Sequence, residues 1–317
     1  MAVHVIHYEH QNRTHWGTLH GEMITEVVGD FATTADFLRS NPIASLRQMN
    51  AGTLPLTSVR LLSPITRNQA LVCQGANYRS HMIDSGMDPD AKNYNMIFRK
   101  ASSAIVPADS DVVRPSHVTL LDYEVELGLV IGRDITESVT VTRDNLGEFI
   151  AGVTIINDYS ARDVQIPETQ FYKGKSYRTF APVGPYLCLL DASEMHYLDE
   201  LELTLSVNGE RRQHATTAEL VHGPAKTLTE LSGLQDLLVG DLIATGTPSG
   251  CALRVPKPWV QRIGAMLPDR RRWEIFIAGQ MKRSAYLQPG QLVETSIRSR
   301  DGVIDLGTQR NRVTQGK

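Results

Sequence analysis

Two glutamates, Glu124 and Glu126, stand two residues apart in the segment LDYEVELGLVIGRD at 121–134. The segment is rich in β-forming residues, and side chains two apart on a strand point to the same face. The opposite face is predicted to be apolar and to carry Tyr123, Val125, Leu127, Leu129 and Ile131. Two carboxylates so close together repel each other, and burying either one unpaired costs free energy. A divalent cation relieves both problems, and an all-oxygen ligand set favours Mg²⁺, Mn²⁺ or Ca²⁺.

A third carboxylate decides between two interpretations of this pair. An exposed edge strand with two solvated glutamates has the same pattern, because charged residues are mostly exposed. The next strong strand, Ala151–Asn157 (AGVTIIN), is apolar on both faces and ends at Asp158. An aspartate at the end of a buried strand favours the buried interpretation. Glu124, Glu126 and Asp158 are therefore the candidate metal ligands.

Two further segments carry residue types that can move protons. Arg79–Ser85 is predicted to form a short helix on which His81 and Asp84 share a face. A histidine oriented by a carboxylate has the form of a general base, although exposed His–Asp pairs without a catalytic role are commoner. Lys175 lies in the aromatic, glycine-containing segment 171–186. Near a metal-bound substrate it can supply a proton or stabilise an oxyanion; the alternative is a solvated lysine.

The composition excludes several classes of function. The 317 residues are 41% apolar and 21% charged, with a formal net charge of −3, so nothing favours binding to nucleic acid or to an anionic membrane. No stretch approaches about 18 apolar residues, and the N-terminus lacks a secretory signal pattern. The three cysteines are widely spaced, which argues against a disulfide framework or a zinc site. A cytoplasmic location fits this cysteine usage best.

The N-terminal part of the chain is predicted to be a small β-rich domain. Short alternating strands occur within its first 60-odd residues, and Thr33 or Thr34 can cap a short helix. A proline-containing joint, 62–65, leads into the main domain. The domain boundaries are therefore predicted as 1–66 and 67–317.

Turn and helix signals position the elements of the main domain. Asn208-Gly209 predicts a tight hairpin, and Pro224–Leu231 predicts a helix with proline in its first turn. The strand Leu242–Ala244 leads into the glycine-rich segment TGTPSG at 245–250, which allows close approach of a small ligand. The polar segment 77–95 is predicted to be mobile without ligand, because it buries little apolar surface.

Residues 251–286 differ in character from the rest of the main domain. The segment contains PKPW, a run of three arginines followed by tryptophan, and the apolar run EIFIAG. Tryptophan and arginine are enriched at interfaces. We expect this excursion to lie outside the metal's ligand shell and to serve packing, the rim of the pocket or a subunit contact.

The order and spacing of several motifs resemble the fumarylacetoacetate hydrolase family, in its acylpyruvate hydrolase and 2-hydroxyhepta-2,4-diene-1,7-dioate isomerase-like branch. The matching segments are QGANYRSH (74–81), FRKASSAIV (98–106), LDYEVELGLVIG (121–132), NDYSARDVQ (157–165), GKSYRTFAPVGP (174–185), LTLSVNGERRQ (203–213), TGTPSG (245–250) and QRNRV (309–313). The resemblance covers nearly the whole chain except about 251–286. It implies an α+β fold, a mixed β roll with flanking short helices behind the small N-terminal β-rich domain, as a homodimer.

The resemblance also implies roles for individual residues. It assigns one Mg²⁺ or Mn²⁺ per subunit to Glu124, Glu126 and Asp158. His81 and Asp84 match the family's lid dyad, with aspartate where many relatives have glutamate. The polar residues expected around the substrate are Gln165 and Lys175 as catalytic groups and Tyr78, Lys100, Tyr159 and Thr247 as substrate contacts. Thr179 matches a residue beside the metal site, and Ala101 replaces the usual proline after Lys100.

The activity implied by the resemblance is metal-dependent hydrolysis of a C–C bond in an acylpyruvate or related β-diketo acid, in degradation of aromatic compounds. Stabilising an enolate equally serves decarboxylation of oxaloacetate and isomerisation or hydration of 2-oxo-enoates, so membership of the family does not select the reaction. A non-enzymatic module with a structural ion is a remote alternative, because such a site would not need His81, Gln165 and Lys175. The expected partner is a small 2-oxo or diketo acid.

Overall fold

A computed structural model describes residues 2–91, 94–256 and 258–317. Lys92 and Asn93 of the polar segment 77–95, Lys257 of the excursion, and Met1 lie outside the described residues. Among the described residues, no helix is both long enough and apolar enough to cross a membrane.

The described residues form strands that alternate with short helices. The strands are β1 Val3–His10, β2 Arg13–His20, β3 Met23–Glu26, β4 Leu54–Pro55, β5 Arg60–Leu62, β6 Leu71–Gly75, β7 Met96–Lys100, β8 Ile105–Pro107, β9 Val112–Arg114, β10 Leu121–Asp122, β11 Val125–Ile131, β12 Ile150–Asn157, β13 Ser160–Ala161, β14 Ala181–Val183, β15 Leu187–Leu189, β16 Glu202–Val207, β17 Glu210–Thr216, β18 Leu242–Ala244, β19 Leu292–Arg298 and β20 Asp305–Gln315. The α-helices are α1 Thr34–Ser40, α2 Ile43–Leu46, α3 Arg79–Asp84, α4 Arg162–Glu168, α5 Phe171–Lys175, α6 Pro224–Ser232, α7 Pro258–Gly264 and α8 Asp269–Met281. Short 3-10 helices span Leu56–Ser58, Ser102–Ala104, Leu146–Glu148, Ala192–Asp199 and Thr217–Glu219.

Two sheets carry most of the fold. The larger follows the order β4-β3-β2-β1-β15-β12-β11-β18-β6-β7, with β5, β8 and β14 paired at its sides. The smaller follows β17-β16-β19-β20-β9. Most neighbours are antiparallel, but β6 and β18 are parallel, as are β8 and β14 and also β9 and β20. The predicted α+β class with mixed sheets is therefore confirmed.

β11 lies inside the larger sheet, between β12 and β18, and its two faces contact different hydrophobic clusters. The alternate residues Tyr123, Val125, Leu127, Leu129 and Ile131 belong to the main cluster, which also takes residues from β16 and β19 of the smaller sheet. Val130 belongs to a second cluster on the opposite side, shared with the N-terminal strands and α1. The predicted alternation is thus confirmed, and the face that carries Glu124 and Glu126 is buried.

The predicted continuous strand is interrupted at Tyr123 and Glu124, between β10 and β11. Side-chain oxygens replace ladder partners here: the Glu124 N–H donates to Asn157 Oδ1 at 3.0 Å and the Val125 N–H donates to Gln213 Oε1 at 3.0 Å. The strand also ends at Ile131, short of Asp134. The sequence does not reveal the break because the amide groups that cause it lie more than thirty positions away.

The N-terminal strands belong to the larger sheet. β1 pairs with β15 through Val3 and Leu189, and with β2 and β5 of its own region. Thr33 caps α1 with a reciprocal Asp36 bond, in agreement with the predicted cap. The hydrogen bonds between β1 and β15 join the N-terminal part to the main domain across the predicted boundary. The division at residue 66 stays a prediction.

The other local predictions agree closely with the structure. Asn208 and Gly209 join β16 to β17 with positive φ angles of 50° and 80°, which the asparagine–glycine pair tolerates. α6 extends the predicted helix by one residue, to Ser232. The excursion contains α7 and α8, for which we predicted no secondary structure.

Candidate active site

Three buried carboxylates meet where β11 and β12 run side by side. The antiparallel register places Val125 opposite Asn157, the residue that precedes Asp158. Glu124 and Glu126 stand on either side of Val125, so the register brings both of them near Asp158. One carboxylate oxygen from each of the three lies within 4.8 Å of the others. The hydrogen bond from the Asp158 N–H to the Glu124 carbonyl, 2.8 Å, holds the two chain segments together. Three convergent oxygen ligands are the donor set that a hard divalent cation requires.

Buried cations neutralise two of these carboxylates. Lys175 Nζ lies 2.6 Å from Glu124 Oε2 and 2.6 Å from Asp158 Oδ2. Arg162 contacts the other oxygen of Glu124, and Lys100 contacts the other oxygen of Asp158. Burial alone would raise the pKa of Glu124, but the charges of Arg162 and Lys175 outweigh it and hold that pKa well below its usual range. Glu124 is therefore ionised.

Glu126 is the carboxylate of the three that has no ion pair among the described residues. Its Oε2 accepts a hydrogen bond of 2.8 Å from the Gly246 N–H. Burial, together with the charges of Asp158 and Glu124, raises the pKa of Glu126 well above its usual range. A divalent cation between the three carboxylates would supply the missing positive charge, so the residues present fit such an ion.

A cavity of about 140 Å³ opens onto this cluster. Its walls include Glu124, Glu126, Arg162, Gln165, Lys175, Thr247 and His81. Asp158 is fully buried and is not among the lining residues. The volume accommodates a small polar group, not a large ligand.

His81, on α3, lines this cavity. Burial is the main cause that lowers the pKa of His81 below its usual range, and the charges of Arg162 and Lys175 lower it further. The charge of Glu124 acts in the opposite direction and raises it. The imidazole is therefore neutral at pH 7. Asp84, however, accepts a hydrogen bond from the Ser249 hydroxyl, and no hydrogen bond joins it to His81 in the described structure. The catalytic role of the pair stays a prediction.

Gln165 and Thr247 also line the cavity. Gln165 Oε1 accepts from Arg162 at 2.7 Å, so the donor capacity of the side chain resides in its amide nitrogen. The Thr247 hydroxyl donates to the Val125 carbonyl and accepts from Gln213, both at 2.9 Å. The roles predicted for both residues are compatible with these positions and stay predictions.

Four other residues lie away from the cavity. Tyr78 and Tyr159 are fully buried members of the main hydrophobic cluster, and Tyr159 donates to Asn311 at 3.3 Å. Lys100 Nζ is enclosed by Asp158 and by the carbonyls of Tyr159 and Phe180. None of these three residues lines the cavity, and their roles as substrate contacts stay predictions. Thr179 accepts a hydrogen bond from the Val113 N–H and is not beside the carboxylates either.

Asp122 and Arg162 were not singled out from the sequence, yet they organise the site. Arg162 begins α4 and bonds Asp122, Glu124 and Gln165 together. Asp122 in turn accepts from the N–H groups of Ala252 and Leu253 at 2.7 and 3.0 Å. The sequence signal that could have pointed to Arg162 is the excess of negative charge, because a cluster of buried carboxylates needs more positive charge than Lys175 alone supplies.

Three convergent buried carboxylates in a mixed β fold are the arrangement expected of a divalent-metal site. Residues 70–314 match the fumarylacetoacetate (FAA) hydrolase C-terminal family. The chain belongs to the fumarylacetoacetate hydrolase family, whose members are enzymes that include hydrolases, isomerases and tautomerases. These enzymes typically use a divalent metal, and the buried carboxylate triad of this chain can bind one.

Individual relatives differ in the reaction for which they are named. The chain is 36% identical over 213 residues to the oxaloacetate tautomerase of Bacillus subtilis, covering 66% of this chain and 68% of that protein. It is 30% identical over 291 residues to the 2,4-didehydro-3-deoxy-L-rhamnonate hydrolase of a Sphingomonas species, covering 91% and 89%.

Solved structures match the whole fold. A fumarylacetoacetate hydrolase from Exiguobacterium antarcticum has a TM-score of 0.71 at 26% identity, covering 99% of this chain and 100% of that one. A 2-hydroxyhepta-2,4-diene-1,7-dioate isomerase from Mycobacterium marinum has a TM-score of 0.70 at 26% identity with the same coverage.

Proposed function

We propose that this chain is a divalent-metal-dependent hydrolase that cleaves a C–C bond of an acylpyruvate or a related β-diketo acid. The observation that carries this proposal is the position of the neutral His81 imidazole on the same 140 Å³ cavity as Glu124 and Glu126. Hydrolysis needs both a base for water and a way to stabilise an enolate. This cavity has groups for both.

The polar end of the substrate determines how it would bind. An acylpyruvate carries a carboxylate next to a 2-oxo group, and a cation held by Glu124, Glu126 and Asp158 would supply Lewis-acid stabilisation of the enolate charge. Lys175 spends two of its three N–H donors on Glu124 and Asp158, so the third can donate to a substrate oxygen. The amide nitrogen of Gln165 can donate to the distal carbonyl, where negative charge develops.

His81 moves the proton in this scheme. Its neutral imidazole accepts a proton from water as the water oxygen bonds to the distal carbonyl carbon. The bond between carbons 3 and 4 then breaks, and its electron pair remains on carbon 3 as the enolate of pyruvate. The imidazolium returns its proton to carbon 3. The products are pyruvate and a carboxylic acid, so one water is consumed and no oxidant or reductant is needed.

A second candidate is decarboxylation or isomerisation on the same site. The observation that favours it is that, among the described residues, Asp84 is hydrogen-bonded to Ser249 and not to His81. Decarboxylation of oxaloacetate and isomerisation of a 2-oxo-enoate require an enolate but no activated water. The Bacillus subtilis relative is named for oxaloacetate tautomerisation, which also proceeds through an enol.

The test is a substrate panel assayed with Mg²⁺, with Mn²⁺ and with a chelator. The panel contains acylpyruvates of different chain lengths, oxaloacetate and 2-oxo-enoates. We expect metal-dependent loss of the acylpyruvate and formation of equimolar pyruvate. Turnover of oxaloacetate or 2-oxo-enoates with no acylpyruvate cleavage would replace the hydrolase proposal with the second candidate.

A further inference from the structure

The excursion 251–286 forms a groove that adjoins the catalytic cavity. Its volume is about 590 Å³, roughly the size of pockets that hold drug-sized molecules. The walls come from α7, α8 and the chain that precedes α7, and they are mainly apolar, with Val255, Leu267, Ile275 and Phe276 among them. Ile166 and Leu253 line both this groove and the 140 Å³ cavity. The two spaces are therefore neighbours that share a wall.

The shared wall is fixed to the catalytic site. Ile166 directly follows Gln165 on α4, the helix that brings Arg162 to the carboxylates. The N–H of Leu253 donates to Asp122, the same carboxylate that Arg162 contacts. The position of the groove relative to the cavity is thus set by Ile166 and Leu253, which line both spaces and are tied to the Arg162–Asp122 pair.

The excursion is closed at its base by hydrogen bonds. Gln280 Nε2 near the end of α8 donates to the Arg254 carbonyl at 2.8 Å, and Gln280 Oε1 accepts from Tyr286 at 2.8 Å. Arg283 donates to the Ala252 carbonyl at 3.2 Å. The end of α8 is therefore held against the segment that leaves the catalytic site.

The polar side chains of the groove are largely engaged with the protein. Gln261 donates to the Pro256 carbonyl at 2.7 Å. Arg272 pairs with Asp269 at 2.9 Å through one terminal nitrogen, and its guanidinium lies 4.5 Å from the centre of the Trp273 ring. The lining is therefore mainly apolar, and Arg272, the one cation among the described lining residues, already has its charge paired with that of Asp269.

We propose that the groove is the subsite for the distal part of the substrate, and that this part is a neutral apolar group, aryl or long alkyl. The inference rests on the proposed function, because it places the 2-oxo acid end of the substrate at the carboxylate cluster. The small cavity holds that polar end, and the adjoining groove holds the apolar tail. Short diacids such as oxaloacetate leave the groove empty.

Binding of unreactive 2-oxo acids tests this inference separately from hydrolysis. Dissociation constants of pyruvate and 2-oxooctanoate are measured by calorimetry on the full chain with saturating Mn²⁺. Each buried methylene is worth about fourfold in affinity, so burying half of the five added methylenes strengthens binding about thirtyfold. A difference below about threefold would overturn the inference.

Gly279→Phe is the variant that blocks the groove. Gly279 lies on α8 and lines the groove, and a Cβ atom added there meets nothing within 4 Å. We expect 2-oxooctanoate to lose nearly all of its advantage while the affinity for pyruvate stays within about twofold. Ala265→Phe adds bulk beyond α7 and should act in the same way. Ala278→Phe is the matched control, since Ala278 is exposed and does not line the groove.

The remaining outcomes separate the alternatives. If both groove variants keep the thirtyfold advantage, the tail binds elsewhere and the inference is refuted. If the advantage disappears only because the variants split a dimer seen by light scattering, the groove is a contact between two copies of the chain, which also refutes it. Tail-dependent binding without any acylpyruvate cleavage supports the subsite and counts against the proposed hydrolysis alone.

Discussion

Replacing Lys175 with methionine tests the charge balance of the site. Lys175 Nζ is buried and contacts Glu124 and Asp158 at 2.6 Å each. The variant leaves one oxygen of each carboxylate without its cation, although Arg162 still contacts Glu124 and Lys100 still contacts Asp158. Removing one partner of a buried ion pair costs about 3–5 kcal/mol. Because both carboxylates keep a cation, we expect a loss of about 3 kcal/mol in the free energy of unfolding.

That loss converts into a measurable shift of the melting temperature. For 317 residues, an unfolding entropy of about 2.1 cal/mol/K per residue gives about 0.67 kcal/mol/K. The metal-free variant should therefore melt about 4–5 °C below the wild type in a calorimetric scan. Lys173→Met is the matched control from the same helix, because the exposed Lys173–Glu168 pair at 3.2 Å is worth at most about 1 kcal/mol.

Adding Mn²⁺ to both proteins extends the test. A cation at 100 times its dissociation constant stabilises the folded wild type by about 2.7 kcal/mol. The Lys175→Met variant should gain more than the wild type at the same Mn²⁺ concentration, because the ion then supplies positive charge that the variant lacks. A variant that melts like the Lys173→Met control, or that gains less from Mn²⁺ than the wild type, would refute the reasoning.

Three further outcomes follow from the site. Glu126→Gln removes the carboxylate that has no ion pair among the described residues, so the Mn²⁺-induced rise in melting temperature and the metal-dependent turnover should both be lost. An unchanged Mn²⁺ titration would remove Glu126 from the ligand set. His81→Ala should slow acylpyruvate hydrolysis about a hundredfold or more, with metal affinity unchanged and oxaloacetate decarboxylation much less affected; equal losses in both reactions would contradict its role as the base. Because burial lowers the pKa of His81, kcat/KM for hydrolysis should stay high at pH 7 and fall only at pH values below the usual titration range of histidine, where the imidazole becomes protonated. An identical acidic limb in His81→Ala would assign that limb to another group.

The sequence was most informative where one residue pattern has one structural solution. The alternation along 121–131 identified the buried strand and the face that carries the glutamates, because strand periodicity assigns each side chain to a face. The asparagine–glycine turn and the Thr33 cap were equally local and equally accurate.

Positions set by distant partners could not be predicted in the same way. The break at Tyr123 and Glu124 depends on amide side chains of Asn157 and Gln213. Lys100 bonds Asp158 and the carbonyl groups of Tyr159 and Phe180, contacts that the sequence does not record. Such contacts depend on the tertiary structure, and no pattern within a short window of the sequence records them.

The charges on β11 also have a consequence for folding. Sliding β11 by one residue against β12 would turn every side chain of the strand to the opposite face. Glu124 would then enter the apolar cluster around Leu127 and Leu129, without Arg162 or Lys175 to pair with it. An uncompensated charge in that environment costs several kcal/mol, far more than a misaligned ladder can recover. A glutamate that prepares the chain for an ion therefore also selects the correct strand alignment while the protein folds.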